Sequence, residues 1–116
     1  MIIGIGTDII EIKRIEKLDL DKFAKKILTE SEIKLLANGP QRVAKLAKRF
    51  AAKEAIAKAF GTGIGGDLSF QDIEISSDEK GKPLAKISNQ QAGLSVHLSI
   101  ADEKEYAVAF AVIEKL

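Results

Sequence analysis

Apolar residues recur at helical spacing along the first half of the chain and at strand spacing along the second. Ile2 to Gly6 predicts a short first strand. Asp8-Ile9-Ile10-Glu11 has the form of a capping box, an acidic N-cap with Glu at N3, and predicts that a helix opens there. Leu20, Phe23, Ala24, Ile27 and Leu28 make an i, i+3, i+4, i+7, i+8 stripe with Asp19 placed to cap it. Thr29-Glu30-Ser31-Glu32 is a second capping box, for a helix stopped by Gly39-Pro40. The longest helix is expected from Arg42 to Phe60, rich in alanine and closed by Gly61.

Beyond the glycine-rich stretch Gly61–Gly66 the period changes from 3.6 to 2. Phe70 to Ser76 reads as a strand with Ile73 and Ile75 on one face, followed by a turn over Ser77–Gly81. Pro83 opens the next strand, which runs through Leu84 to Ile87, and a weak helical turn is expected near Asn89–Ala92. Leu94, Val96, Leu98 and Ile100 alternate with Ser95, His97 and Ser99, apolar on one face and polar on the other. In the last strand Tyr106, Val108, Phe110 and Val112 alternate with Ala107, Ala109, Ala111 and Ile113. Both faces are apolar and one is mostly small, so part of this strand calls for an intermolecular covering; Ala109 is expected to meet a neighbour. Helices segregated from hairpin-linked strands predict an α+β fold, with residues 1–116 forming one domain.

Composition narrows the class. The 116 residues are 46% hydrophobic and 30% charged, which excludes a disordered chain, a collagen and a coiled-coil rod. No apolar run approaches the ~20 residues of a membrane span, and the N-terminus lacks the pattern of a signal peptide. Zero cysteines exclude disulfides and thiolate metal sites and suit a cytoplasmic setting. Net charge is +1, yet residues 1–60 carry +5 and residues 61–116 carry −4. A basic half reads either as lysine-rich helices that are simply well solvated or as a surface for an anionic partner.

Within the long helix, Leu46, Ala47, Phe50, Ala57 and Phe60 share a stripe and Glu54 falls in its middle. A carboxylate on a buried face must be paired, protonated or bound to metal. Lys58, at i+4, is an available ion-pair partner. Asp8 reads as a plain N-cap, although Gly4 and Gly6 before it leave room for another backbone or a ligand. Two carboxylates from separate elements are a minimal platform for Mg²⁺. Gly61-Thr62-Gly63-Ile64-Gly65-Gly66 matches G-x-G-x-x-G, but it follows a helix and precedes a strand, the wrong context for a dinucleotide fingerprint. It reads as a helix C-cap and loop, or as backbone amides offered to an anion. His97 is the single histidine; with no second histidine and no cysteine to join it, a zinc site is not expected, and it reads as a surface residue or a phosphate contact. No RNP, KH or zinc-finger motif appears, and neither nucleic acid nor a membrane is an expected partner.

The segments Gly4-Ile5-Gly6-Thr7-Asp8-Ile9-Ile10-Glu11, Arg49-Phe50-Ala51-Ala52-Lys53-Glu54-Ala55 and Lys58-Ala59-Phe60-Gly61-Thr62-Gly63-Ile64-Gly65 resemble the bacterial holo-acyl-carrier-protein synthases. Phe70–Glu74, Gly81-Lys82-Pro83, Val96–Ile100 and Glu105–Ala109 agree in order and spacing. The resemblance implies a phosphopantetheinyl transferase fold, and transfer of 4′-phosphopantetheine from coenzyme A to a serine of apo-acyl carrier protein, in support of fatty acid biosynthesis. It implies Asp8 and Glu54 as Mg²⁺ ligands, Lys58 beside the pyrophosphate, and Gly61, Thr62 and Gly63 against the nucleotide or pantetheine arm. Arg49 and His97 resemble family residues near the 3′-phosphate, and Lys13 and Arg14 a surface that docks the carrier protein. The base stays open between a metal-associated water and either carboxylate. Family members of this length resemble homotrimers with active sites between subunits. Where the family commonly continues with Ser/Thr-His-Thr, this chain has Ala101-Asp102-Glu103. The rival expectation is a non-enzymatic basic module that binds an acidic carrier protein or nucleic acid.

Overall fold

The computed structural model describes every residue except Ala37 and residues 89–91. Among the described residues, five strands and four α-helices follow one another as β1 (Ile2–Glu11), α1 (Ile12–Glu16), α2 (Leu20–Ile27), α3 (Glu30–Leu35), α4 (Arg42–Ala59), β2 (Ile73–Ser77), β3 (Pro83–Ile87), β4 (Leu94–Asp102) and β5 (Tyr106–Lys115). The architecture is α+β, as expected. An antiparallel sheet in the order β1-β5-β4 carries α4 across one face, and β2 and β3 form a separate antiparallel hairpin. No described helix is long and apolar enough to cross a membrane.

Small residues set the distance between α4 and the sheet. Facing the helix are Gly4, Gly6, Asp8 and Ile10 of β1, opposite Ile113, Ala111, Ala109 and Ala107 of β5. The helix answers with Ala51, Ala52, Ala55 and Ala59. A Cβ on Gly4 would lie 1.9 Å from the Ala59 carbonyl oxygen, and one on Gly6 would lie 2.0 Å from that of Ala55. The two glycines therefore make room for a backbone, that of α4. Ile27, Leu46, Ile56, Ile73 and Ile113 complete the core, each fully buried and contributing about 1.5–3 kcal/mol.

Several expectations need correction. β1 continues through Asp8 to Glu11, so Asp8 caps nothing and α1 starts only at Ile12, after an N-cap (Glu11) with no side-chain bond. The β-branched Ile9 and Ile10 favour pairing, and the ladder from Asp8–Ala109 to Glu11–Tyr106 outweighs a four-residue capping pattern. The α2 cap and the Thr29–Glu32 capping box form as expected, but α3 ends at Leu35, short of Gly39. Phe70–Asp72 is a 3₁₀ turn, held by Asp72 accepting from the Ser69 amide, and β2 begins at Ile73. The small face of β5 points inward: Ala109 packs beneath α4, not against a neighbour. Its larger residues, Tyr106, Val108 and Phe110, face outward beside Ile5 and Ile9 of β1 and are exposed among the described residues. The helical turn expected near Asn89–Ala92 lies largely outside the described residues.

Candidate functional site

Asp8 faces α4 from the middle of β1, and there it meets Lys58. The Lys58 ammonium donates to Asp8 Oδ1 and to the Thr7 carbonyl, both at 3.0 Å. The i+4 pair of Glu54 with Lys58 does not form, because the lysine reaches across to the strand. Glu54 is half-buried one helical turn away and has no hydrogen bond or ion pair among the described residues. Its carboxyl is held above the usual glutamate range, first by burial and then by the charge of Asp8, with Lys58 opposing. Two acids, one of them unpartnered, thus repel each other beside a single cation. That donor set fits a hard divalent ion, which takes one or two protein carboxylates and fills its shell with other oxygens. The described residues form no cluster of three metal-ligating side chains, so a cation here would rest on this pair.

A second feature lies on the other side of α4. A cavity of about 530 Å³ is lined by Lys45, Lys48 and Arg49, with Leu28, Leu36 and Ile100 among its apolar neighbours. Beneath it sits a buried charge network. Lys53, fully buried, donates to Glu32 Oε1 at 2.6 Å, to the Ile27 carbonyl at 2.6 Å and to the Phe70 carbonyl at 3.0 Å. Glu32 also accepts from the Thr29 and Ile75 amides, and its Oε2 lies 3.8 Å from Arg49 Nε. Burial pulls the Lys53 ammonium below its ordinary range, with Glu32 opposing. One carboxylate ties α3, α4 and β2 together and sets an electrostatic wall behind Arg49.

Residues 4–111 match the model of the 4′-phosphopantetheinyl transferase superfamily. The chain belongs to this family. A holo-[acyl-carrier-protein] synthase of Shewanella amazonensis is 52% identical, with 97% of this chain and 98% of that protein aligned. The crystal structure of the Bacillus anthracis synthase in complex with coenzyme A (3′,5′-ADP) is 51% identical and superposes with a TM-score of 0.91, covering 100% of this chain and 99% of that one. The Helicobacter pylori synthase in complex with coenzyme A is 37% identical with a TM-score of 0.83, covering 95% and 99%.

In this family member the expected site residues divide into separate groups. Asp8, Glu54 and Lys58 come together, and Arg49 lies farther along α4 at the cavity. Gly61 has φ +80°, and its amide and that of Thr62 bond the Lys58 and Ala57 carbonyls, a Schellman closure of α4. The Gly63 amide also goes to Ala57, so all three amides are spent on the helix end and leave none for an anion. Among the described residues no atom beyond the chain neighbours lies within 4 Å of where a Cβ on Gly61 or Gly63 would stand, so the loop presents open backbone surface. Lys13 and Arg14 are exposed on α1. His97 lies on the outer face of the sheet, away from Asp8, with Nε2 3.0 Å from Glu114 Oε1. Lys53 and Glu32 were missed by sequence reasoning, although Lys53 stands on the same helical stripe as Leu46, Phe50 and Ala57 at i, i+4, i+7, i+11.

Proposed function

We propose that this chain transfers the 4′-phosphopantetheine group from coenzyme A to a serine of an apo-acyl carrier protein, releasing adenosine 3′,5′-bisphosphate and supporting fatty acid biosynthesis. Residues 1–116 act as one transferase domain. The observation that carries the reading is the repelling pair Asp8 and Glu54 beside Lys58, in a chain of this family.

The serine hydroxyl gives its proton to a base, either a metal-associated water or one of the two carboxylates. Its oxygen bonds to the phosphorus that bears the pantetheine arm, and the bond from that phosphorus to the bridging oxygen breaks. Charge grows on that oxygen as the bisphosphate leaves. Asp8 and Glu54 would hold Mg²⁺, which when bound supplies the positive charge that a pyrophosphate demands. Lys58, half exposed at the same spot, adds a cation able to turn from Asp8 to the pyrophosphate. Arg49, with Lys45 and Lys48, offers the nucleotide end a cationic cavity wall. The open Gly61–Gly63 surface lets a ligand pass close to the backbone. Lys13 and Arg14 present positive charge to an acidic carrier.

A homotrimer with shared active sites completes the proposal. The uncovered apolar face of β1 and β5 supports it, as does the position of His97, which can join Asp8 and Glu54 only if another subunit supplies one of them. The cysteine-free composition supports a cytoplasmic setting. Incubating the protein with coenzyme A and apo carrier protein tests the reading: the carrier gains the mass of one phosphopantetheine, and chelating divalent metal abolishes the gain. A stable complex with no mass gain would instead mark a binding module.

A further inference from the structure

The cavity holds its own counter-ion. Asp102, at the end of β4, points its Oδ1 to within 3.7 Å of Lys48 Nζ, and both residues line the cavity. Lys45, Lys48 and Arg49 stand at i, i+3 and i+4 on α4, where like charges repel. Two acids face them, Glu32 and Asp102. Glu32 is locked, since Lys53 and the Thr29 and Ile75 amides all bond it. Asp102 is bound differently. Its side chain is 36% exposed, and Lys48 is its one side-chain partner among the described residues. Lys45 has no carboxylate partner among them.

We propose that Asp102 competes with the ligand's phosphate for Lys48 and thereby sets how tightly the cavity holds a phosphorylated nucleotide. This rests on the reading of the cavity as the nucleotide end of the site. In the empty cavity the carboxylate relieves the crowding of three cations. An incoming phosphate, carrying more charge, displaces it, and part of the electrostatic gain is lost in breaking the Lys48 pair. Substrate and released bisphosphate share the nucleotide, so weaker holding also lets the product leave. Asp102 falls within Ala101-Asp102-Glu103, a segment that departs from the family resemblance.

Calorimetric titration with coenzyme A, adenosine 3′,5′-bisphosphate and phosphate-free pantetheine tests the idea in wild type, Asp102→Asn, Lys48→Gln and the double variant. Asp102→Asn should bind both nucleotides about three- to five-fold tighter at low salt and pantetheine unchanged, the scale of one partly exposed charge pair. The gain should fade near 1 M salt, where screening acts within about 3 Å. In the Lys48→Gln background Asp102→Asn should change affinity less than about two-fold. An unchanged or weaker Kd in Asp102→Asn, or an equal gain with and without Lys48, overturns the proposal. Carrier-protein mass gain by wild type, measured in parallel, separates the two readings: its absence overturns the transferase function, whereas transfer with an unchanged Asp102→Asn Kd overturns only this competition.

Discussion

Gly6→Ala joins fold and site in one perturbation. The added Cβ would lie 2.0 Å from the Ala55 carbonyl oxygen and 2.6 Å from the Ala59 amide nitrogen, both backbone atoms of α4. Neither can rotate away, so β1 and α4 must separate by about 1 Å to reach even 3.0 Å, the floor of real Cβ contacts. Such overpacking costs roughly 1–3 kcal/mol, on the order of 5–15 °C in a domain this size. The same separation moves Asp8 on β1 from Lys58 and Glu54 on α4, and displacing reacting groups by about 1 Å can cost ~10²-fold in rate. Thermal melts give the stability loss, and initial transfer rates on the folded fraction give the kinetic loss. A variant that melts and transfers like wild type would show that the glycines do not set the helix–strand distance.

Other outcomes follow from separate parts of the molecule. Lys53→Met leaves Glu32 buried without its hydrogen-bonded cation, with only Arg49 nearby, and should cost about 3–5 kcal/mol in denaturant melts; a loss under about 1 kcal/mol would contradict the buried network. Phe110→Lys, on the outward face of β5, should shift an assembled wild type toward monomer in sedimentation, and a monomeric wild type would refute the covering of that face. The raised Glu54 pKa keeps the folded state protonated where the unfolded chain is already ionised, so metal-free protein should lose stability as pH rises from the ordinary glutamate value through the raised one. Glu54→Gln should flatten that limb, and an unchanged pH profile would remove Glu54 as its source.

The order of elements was legible because each periodicity is local. The α2 stripe, the Thr29–Glu32 box and the strands either side of Gly81 all form close to where their patterns lie. Asp8 was misread locally: its capping pattern is overridden by the β5 ladder, and only the resemblance marked the residue as a metal ligand. Glu54 stood out on a helical wheel, but α4 is the central element and is buried nearly all round, so a single stripe could not rank its charges. Lys53, one residue earlier, is the fully buried one. Its acceptors come from α2, α3 and the 3₁₀ turn at Phe70, 17 to 26 residues away, and no spacing rule reveals them. The Asp8–Lys58 bond, 50 residues apart, likewise depends on how α4 crosses β1.

The pairing of Asp8 with Glu54 around a divalent cation is tested most directly by the transfer rate of Glu54→Gln as a function of Mg²⁺ concentration, beside wild type. The amide keeps the size and one oxygen of the side chain but removes the negative charge on which a hard cation depends. A folded variant that loses at least ~10²-fold in rate, and whose residual rate needs far more Mg²⁺ or none, is the expected result. Near-normal rates with the wild-type magnesium dependence would take Glu54 out of the site and the mechanism with it.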